Sequence, residues 1–166
     1  MASITLGGKP SNTIGNLPQV GTDAPNFIAI TRDFKSVSLD DLKGKNIILN
    51  IFPSIDTGVC STSVRTFNKR ASELVNTSVV CMSLDLPFAQ QRFCGAEGID
   101  QVIVASGFRD GGAFGEAYGV QIVDGGFTGL YARAIVVVNG EGKVIYTELV
   151  PEIGQEPNYD AAINAL

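Results

Sequence analysis

The stretch Asn46-Ile-Ile-Leu-Asn-Ile-Phe52 is a nearly continuous apolar run of strand length. Such a run is typical of a strand covered on both faces, because the usual alternation disappears when neither face meets water. We therefore predict a central strand here. From Cys60 onward, apolar residues recur at helical spacing, at Val64, Phe67, Ala71, Leu74 and Val75, which predicts a helix that starts near Cys60.

Further strand and helix patterns flank this central pair. Strands are predicted at 26–31, 77–84 and 101–105, and a helix with proline in its first turn at 87–96. A brief helical turn is predicted within 36–42, a short helix at 110–118 and a terminal helix at 159–166. Two hairpins are predicted: strands 4–6 and 12–14 around a turn at 7–10, and strands 134–138 and 143–149 around Asn139-Gly-Glu-Gly142.

Parallel strand–helix units followed by an antiparallel hairpin and a helix predict an α/β fold. The expected architecture is a thioredoxin-like sandwich with a central mixed sheet and an N-terminal β-hairpin extension. At 166 residues, with no linker or internal repeat, the chain is expected to form a single domain over residues 1–166.

The composition excludes several classes of function. The formal net charge of −5 disfavours binding to nucleic acid or to anionic lipid surfaces. No apolar segment approaches membrane-spanning length, and the N-terminal stretch lacks the pattern of a signal peptide. We expect a soluble, cytoplasmic protein with no nucleic-acid or membrane partner.

The chain contains no histidine and only three cysteines, Cys60, Cys81 and Cys94. The absence of histidine excludes Ser-His-Asp hydrolases, Cys-His proteases and most zinc or iron sites. No C-x-x-C pair suggests zinc binding or a thioredoxin-type dithiol, and an odd number of cysteines fits poorly with a static disulfide framework. These cysteines are therefore either buried structural thiols or reactive ones.

The segment 53–60, Pro-Ser-Ile-Asp-Thr-Gly-Val-Cys, lies where the predicted central strand meets the following helix. Asp56 or Thr57 can cap that helix, and Cys60 then falls in its first turn, where free N–H groups favour a thiolate. An ordinary cysteine thiol is only ~3% ionised at pH 7. Ionising most of it requires roughly 3 kcal/mol, whereas a helix N-terminus supplies at most ~2 kcal/mol, so an arginine from elsewhere in the fold is required.

The P-x-x-x-T-x-x-C pattern formed by Pro53, Thr57 and Cys60 resembles the active-site signature of the peroxiredoxins, and segment 54–60 resembles their thiol peroxidase subgroup. Further stretches match along most of the chain, among them those around Cys94 (92–97) and Arg133 (129–134). The chain is thus identified as similar to the atypical two-cysteine peroxiredoxins.

This resemblance implies a set of catalytic residues. Cys60 would be the peroxidatic cysteine, which attacks a hydroperoxide and becomes a sulfenic acid. Thr57 would orient the peroxide, Pro53 would shield the pocket from water, and Arg133 would stabilise the thiolate and the developing charge. Cys94 would close an intramolecular disulfide with Cys60, which requires a helix to unwind locally if the two lie far apart.

The same resemblance implies thioredoxin as the reductant and a homodimer as the assembly, with no metal and no organic cofactor. Whether hydrogen peroxide or an organic hydroperoxide is preferred depends on the shape of the pocket, which the sequence does not reveal. Cys81 lies in a central-strand pattern and is expected to be a packed bystander.

Three other interpretations compete with peroxidase activity. A disulfide reductase or isomerase would need the missing C-x-x-C dithiol. A non-catalytic thioredoxin-fold binding protein would consume no peroxide. A redox sensor that passes oxidation to a partner would use the same cysteines, and the sequence does not separate it from a peroxidase.

Overall fold

A computed structural model describes all residues 1–166 as a mixed α/β structure. The strands are β1 (Ser3–Leu6), β2 (Lys9–Asn12), β3 (Ile28–Thr31), β4 (Ser36–Ser38), β5 (Asn46–Ile51), β6 (Thr77–Ser83), β7 (Ile103–Ser106), β8 (Ala134–Val138) and β9 (Val144–Leu149). The helices are α1 (Gly58–Ala71), α2 (Pro87–Glu97), α3 (Ala113–Ala117) and α4 (Tyr159–Asn164), with one 3-10 turn at Asp40–Leu42.

Seven strands form one sheet in the order β4-β3-β7-β6-β5-β8-β9. Strands β5, β6 and β7 are parallel to each other, whereas β3, β4, β8 and β9 pair antiparallel with their neighbours. Strand β5 is an interior strand, as its apolar run predicts. The mixed sheet and the separate N-terminal hairpin of β1 and β2 are also as predicted.

The two faces of the sheet carry separate hydrophobic clusters. Successive residues of β5 alternate between them: Ile47, Leu49 and Ile51 join one cluster, and Ile48 joins the other. The first cluster includes Phe114 and Tyr118 from α3 and the residue after it. The second includes side chains from α1, α2 and α4, and it contains all three cysteines: Cys60 of α1, Cys81 of β6 and Cys94 of α2. The cysteines therefore share one face of the sheet.

Two predicted local elements are wrong in detail. Segment 36–42 contains a strand, β4, that pairs with β3 before the 3-10 turn begins at Asp40. In the N-terminal hairpin the turn is only Gly7-Gly8, and Pro10 lies within β2 opposite Thr5. Proline is tolerated there because β2 belongs to a two-stranded ribbon, where a missing N–H need not interrupt a ladder.

No helix in the chain combines the length and the apolar character needed to cross a bilayer.

Candidate active site

Cys60 lies in the first turn of α1 and has no exposed surface. Thr57 occupies the N-cap position in an extended conformation, but its hydroxyl donates to the carbonyl oxygen of Ser54 at 3.1 Å. No side chain accepts a hydrogen bond from the first amide groups of the helix, so the prediction that Asp56 or Thr57 caps it is wrong. These amides remain free to stabilise negative charge near Cys60.

Arg133 reaches Cys60 because of the register between β5 and β8. Ile51 pairs with Ala134, which places Arg133 beside the end of β5, where the chain turns toward α1. The Arg133 side chain is 2% exposed, and its Nη2 atom donates to the Cys60 sulfur at 3.3 Å. Its Nε atom donates to the carbonyl oxygen of Ile153 at 2.8 Å, whereas Nη1 has no partner. A fixed positive charge with an unused donor therefore adjoins the sulfur.

A surface depression of about 340 Å³ lies beside the first turn of α1, lined by Gly58, Val59, Thr62, Gly154, Gln155 and Glu156. The last three follow Ile153, which holds Arg133 through its carbonyl oxygen. Pro53 is buried in the bend after β5, and Thr57 is half-buried. Two other cavities, of about 500 and 510 Å³, are lined by none of the predicted site residues.

Cys94 lies in α2, is 2% exposed and belongs to the same hydrophobic cluster as Cys60. All three cysteines are free thiols, so the structure represents the reduced form. Burial raises the pKa of the Cys94 thiol, and the charge and hydrogen bonding of the Arg32 guanidinium oppose that rise. The arginine that lowers the pKa of the Cys94 thiol is therefore a different one from the arginine that contacts Cys60.

Cys81 lies in β6 with no exposed surface. Burial raises the pKa of its thiol to about 12, opposed by a weak hydrogen bond from Asn50, whose Nδ2 atom is 3.6 Å from the sulfur. A thiol that stays protonated is a poor nucleophile. This agrees with the expectation that Cys81 is a bystander, which remains a prediction.

The Redoxin family matches residues 19–163, which is most of the chain and includes the whole of the site. The chain belongs to the Redoxin family.

Similar proteins of known name indicate the class of activity of this Redoxin protein. It is 58% identical over 166 residues to proteins named thiol peroxidase from Mycobacterium tuberculosis and Mycobacterium bovis, a match that covers 100% of this chain and 99% of theirs. The Redoxin protein is thus a peroxiredoxin-type peroxidase, as the sequence predicted.

Solved structures confirm the predicted fold. A peroxiredoxin-like protein from Aquifex aeolicus superimposes with a TM-score of 0.93 at 39% identity, covering 99% of this chain and 95% of that one. A thiol peroxidase from Chromobacterium violaceum superimposes with a TM-score of 0.89 over 97% and 93% of the two chains. At 18% identity, the second match bears on the fold alone.

Several polar residues near the Redoxin site were not predicted from the sequence. Asn50 is fully buried in β5 and donates to the Ser63 hydroxyl at 3.1 Å, and that hydroxyl donates to the Cys60 carbonyl oxygen at 2.7 Å. Asp85 lies just after β6, and its carboxylate accepts hydrogen bonds from the Ser54 hydroxyl and the Ile55 backbone N–H of segment 53–60. A carboxylate directly after a buried parallel strand is a recognisable signal. Arg32 lies in the turn that connects β3 to β4, and nothing in its sequence context indicates a role.

Proposed function

We propose that Cys60 is the peroxidatic cysteine of this Redoxin protein and that it reduces hydrogen peroxide and organic hydroperoxides. The Cys60 thiolate attacks the terminal oxygen of ROOH, the O–O bond breaks, and the leaving alkoxide takes a proton to give ROH or water. The sulfur is oxidised to a sulfenic acid while the peroxide is reduced. No histidine takes part, because the chain contains none.

The contact between Arg133 and Cys60 carries this proposal. The Nη2 donor 3.3 Å from the sulfur stabilises the thiolate, and the unpaired Nη1 donor offers a hydrogen bond to a peroxide oxygen as negative charge develops there. Peroxide would enter through the depression beside Gly58 and Gln155. Thr57 would turn its hydroxyl from Ser54 to the peroxide, and buried Pro53 would limit the access of water.

The second step joins Cys60 and Cys94. The Cys94 sulfur displaces hydroxide from the sulfenic acid, which leaves as water, and a disulfide forms. Both sulfurs are buried within helices, so we expect local unwinding before the bond forms. Helix α2 ends at Glu97, three residues after Cys94, and the next residue, Gly98, adopts a left-handed conformation with φ of 65°. Glycine at this end and at position 95 lowers the cost of rearranging the last turn.

Reduction of the disulfide by thioredoxin completes the proposed cycle, in a cytoplasmic homodimer. Three free cysteines suit a reducing compartment. Phe34 and Phe88 form an exposed aromatic pair, 44% and 71% exposed with ring centroids 5.0 Å apart, which a second copy could cover. Sedimentation of the wild-type protein and of Phe88→Ser would test the dimer, and monomeric wild-type protein at micromolar concentration would contradict it.

Peptide mapping tests the chemistry directly. Reduced protein is treated with one equivalent of hydroperoxide, blocked with an alkylating agent and digested. We expect a linkage between the peptides of Cys60 and Cys94, with Cys81 alkylated. Cys60→Ser should lose turnover with thioredoxin, and Cys81→Ser serves as the matched control that retains it. Steady-state activity of Cys60→Ser comparable with that of the wild-type protein would refute the assignment.

A further inference from the structure

Asp85 binds the active-site segment from the end of the neighbouring strand. Its Oδ1 atom accepts a hydrogen bond from the Ser54 hydroxyl at 2.7 Å, and its Oδ2 atom accepts one from the Ile55 backbone N–H at 2.7 Å. The Ser83 hydroxyl donates to the same Oδ2 atom at 2.6 Å. One carboxyl group therefore fixes the backbone between Pro53 and Thr57, just before the helix that carries Cys60.

The Ser83 hydroxyl also contacts the helix that carries Cys94. Gln90 is fully buried in α2, and its Nε2 atom donates to the Ser83 hydroxyl at 3.3 Å and to the Ala105 carbonyl oxygen at 3.0 Å. Gln90 lies four residues before Cys94, so the two side chains are on the same side of α2. Ser83 thus donates to the partly buried Asp85 carboxyl group and accepts from buried Gln90, and this hydrogen-bonded chain joins the two cysteine-bearing segments.

Exposed ion pairs add to this connection. Arg92 of α2 lies 2.7 Å from the Asp56 carboxylate, and Arg65 of α1 lies 3.7 Å from the Glu97 carboxylate at the end of α2. Exposed pairs contribute little by themselves. The hydrogen-bonded chain of partly buried Asp85 with buried Ser83 and Gln90, called here the Asp85 chain, is the part whose loss we expect to matter. Hydrogen bonds that are broken away from solvent leave unsatisfied polar groups.

We propose that Asp85 is a positioning residue for both steps of the reaction: it holds segment 53–60 in place for attack on the peroxide, and through Ser83 and Gln90 it restrains α2 until the disulfide forms. The idea rests on the proposed function, since it requires Cys60 and Cys94 to be the reacting pair. Breaking the hydrogen bonds to either segment 53–60 or α2 therefore weakens the hydrogen bonds that restrain the other. The Asp85 chain therefore sets how long the sulfenic acid at Cys60 persists, and hence how readily excess peroxide oxidises it to sulfinic acid.

Asp85→Asn tests the proposal because asparagine keeps the size of the side chain but presents an NH₂ group to one of the donors. Quenched samples are analysed by mass spectrometry for sulfenic acid, disulfide and sulfinic acid at Cys60. We expect attack on hydrogen peroxide to slow about tenfold and disulfide formation from the sulfenic acid to accelerate about threefold. Sulfinic acid should then need more peroxide to appear. Equal slowing of both steps would overturn the proposal.

Two further variants separate the two halves of the Asp85 chain, the contacts with segment 53–60 and the contact with α2. Ser83→Ala cuts the link to Gln90 but leaves Asp85 bound to Ser54 and Ile55, so disulfide formation should accelerate while attack on peroxide slows less than in Asp85→Asn. Disulfide formation in Ser83→Ala no faster than in the wild-type protein would overturn the link to α2. If Asp85→Asn does not fold, Ser54→Ala removes one hydrogen bond from the same carboxyl group and carries the test. Asp160→Asn, which breaks an exposed pair with Arg70, controls for loss of a carboxylate.

Hydrogen exchange of the reduced protein tests, without any reaction at the cysteines, whether Asp85 couples segment 53–60 to α2. In Asp85→Asn, amides of segments 53–60 and 87–97 should exchange faster together, with thermal unfolding otherwise cooperative. Faster exchange confined to 53–60 would overturn the coupling. If instead the wild-type protein forms no linkage between Cys60 and Cys94 on peptide mapping, the proposed function fails, and that result is distinct from either exchange pattern.

Discussion

Arg133→Gln tests the electrostatic basis of the site most directly. Glutamine removes the charge but retains a donor that can still reach the Ile153 carbonyl oxygen. A unit charge 3.3 Å from a thiolate is worth roughly 5 kcal/mol at an effective dielectric constant of about 20. Part of this is offset by the cost of burying the guanidinium. For a pair as buried as this one we expect a net loss near the upper end of the roughly 1.5 to 3 kcal/mol of a charged hydrogen bond. Because about 1.36 kcal/mol corresponds to a tenfold change in rate, attack on peroxide should slow about 100-fold.

The measurement needs an external probe, because the chain contains no tryptophan to report oxidation by fluorescence. Hydrogen peroxide remaining in quenched samples gives the rate of the first step, and the rate of alkylation of Cys60 at neutral pH reports the nucleophilic reactivity of its sulfur. Both should fall in Arg133→Gln. Arg133→Lys keeps the charge but carries it on a single nitrogen, without the planar guanidinium that reaches the sulfur and offers Nη1 to the peroxide. Its alkylation rate should therefore stay close to wild type while peroxide attack falls.

Arg109→Gln removes the same charge from an exposed position next to Phe108 and controls for net charge. Circular dichroism and thermal unfolding show whether Arg133→Gln retains its fold. A folded Arg133→Gln protein whose peroxide rate lies within about threefold of wild type would refute the role assigned to the guanidinium, since even the weakest charged hydrogen bonds are worth more than that.

The other variants address the remaining cysteines. Cys94→Ser should consume about one equivalent of peroxide and accumulate sulfenic acid, and normal recycling by thioredoxin would show that another thiol resolves it. Arg32→Gln should raise the pKa of the Cys94 thiol further and slow disulfide formation several-fold at neutral pH, with recovery at alkaline pH; an unchanged rate–pH profile would contradict this. Burial raises the pKa of the Cys81 thiol from about 9 to about 12, so the folded state binds its proton more tightly than the unfolded state does. The free energy of unfolding is therefore unaffected by this group below about pH 9 and falls as the pH rises from about 9 toward 12. Chemical denaturation should therefore show the stability of wild type falling relative to Cys81→Ala above about pH 9, by up to about 4 kcal/mol, whereas a constant difference would count against it.

The order of strands and helices could be predicted because the signals are local. The apolar run at 46–52 and the helical spacing after Cys60 each lie within one element, and both elements are present. Segment 36–42 was predicted less well because β4 exists only through its pairing with β3, and three residues leave no periodicity to detect. The prediction of a single domain over residues 1–166 remains open to a folding experiment.

The residues of the candidate site also divide into those with a local sequence signal and those whose role depends on contacts between distant elements. Cys60 and Thr57 lie within one short segment, and the need for a cation follows from the energy required to ionise a thiol. Arg133 was identified by resemblance, since its contact with Cys60 depends on the pairing of Ile51 with Ala134, which no local pattern specifies. Arg32 and Gln90 act across separate elements, and their contacts become apparent only when α2 is packed on the sheet.

The sheet topology explains why these separate segments meet. Strands β5 and β6 are parallel, so the segments that follow them, 53–60 and the residues around Asp85, emerge at the same edge of the sheet. Strand β8 is antiparallel to β5, so its beginning, with Arg133 just before it, lies at that edge too. The edge thus brings together the thiol, the cation and the carboxyl group that positions the thiol-bearing segment. Because α2 starts from the same edge directly after Asp85, a displacement of that helix during disulfide formation would act on the backbone that positions Cys60.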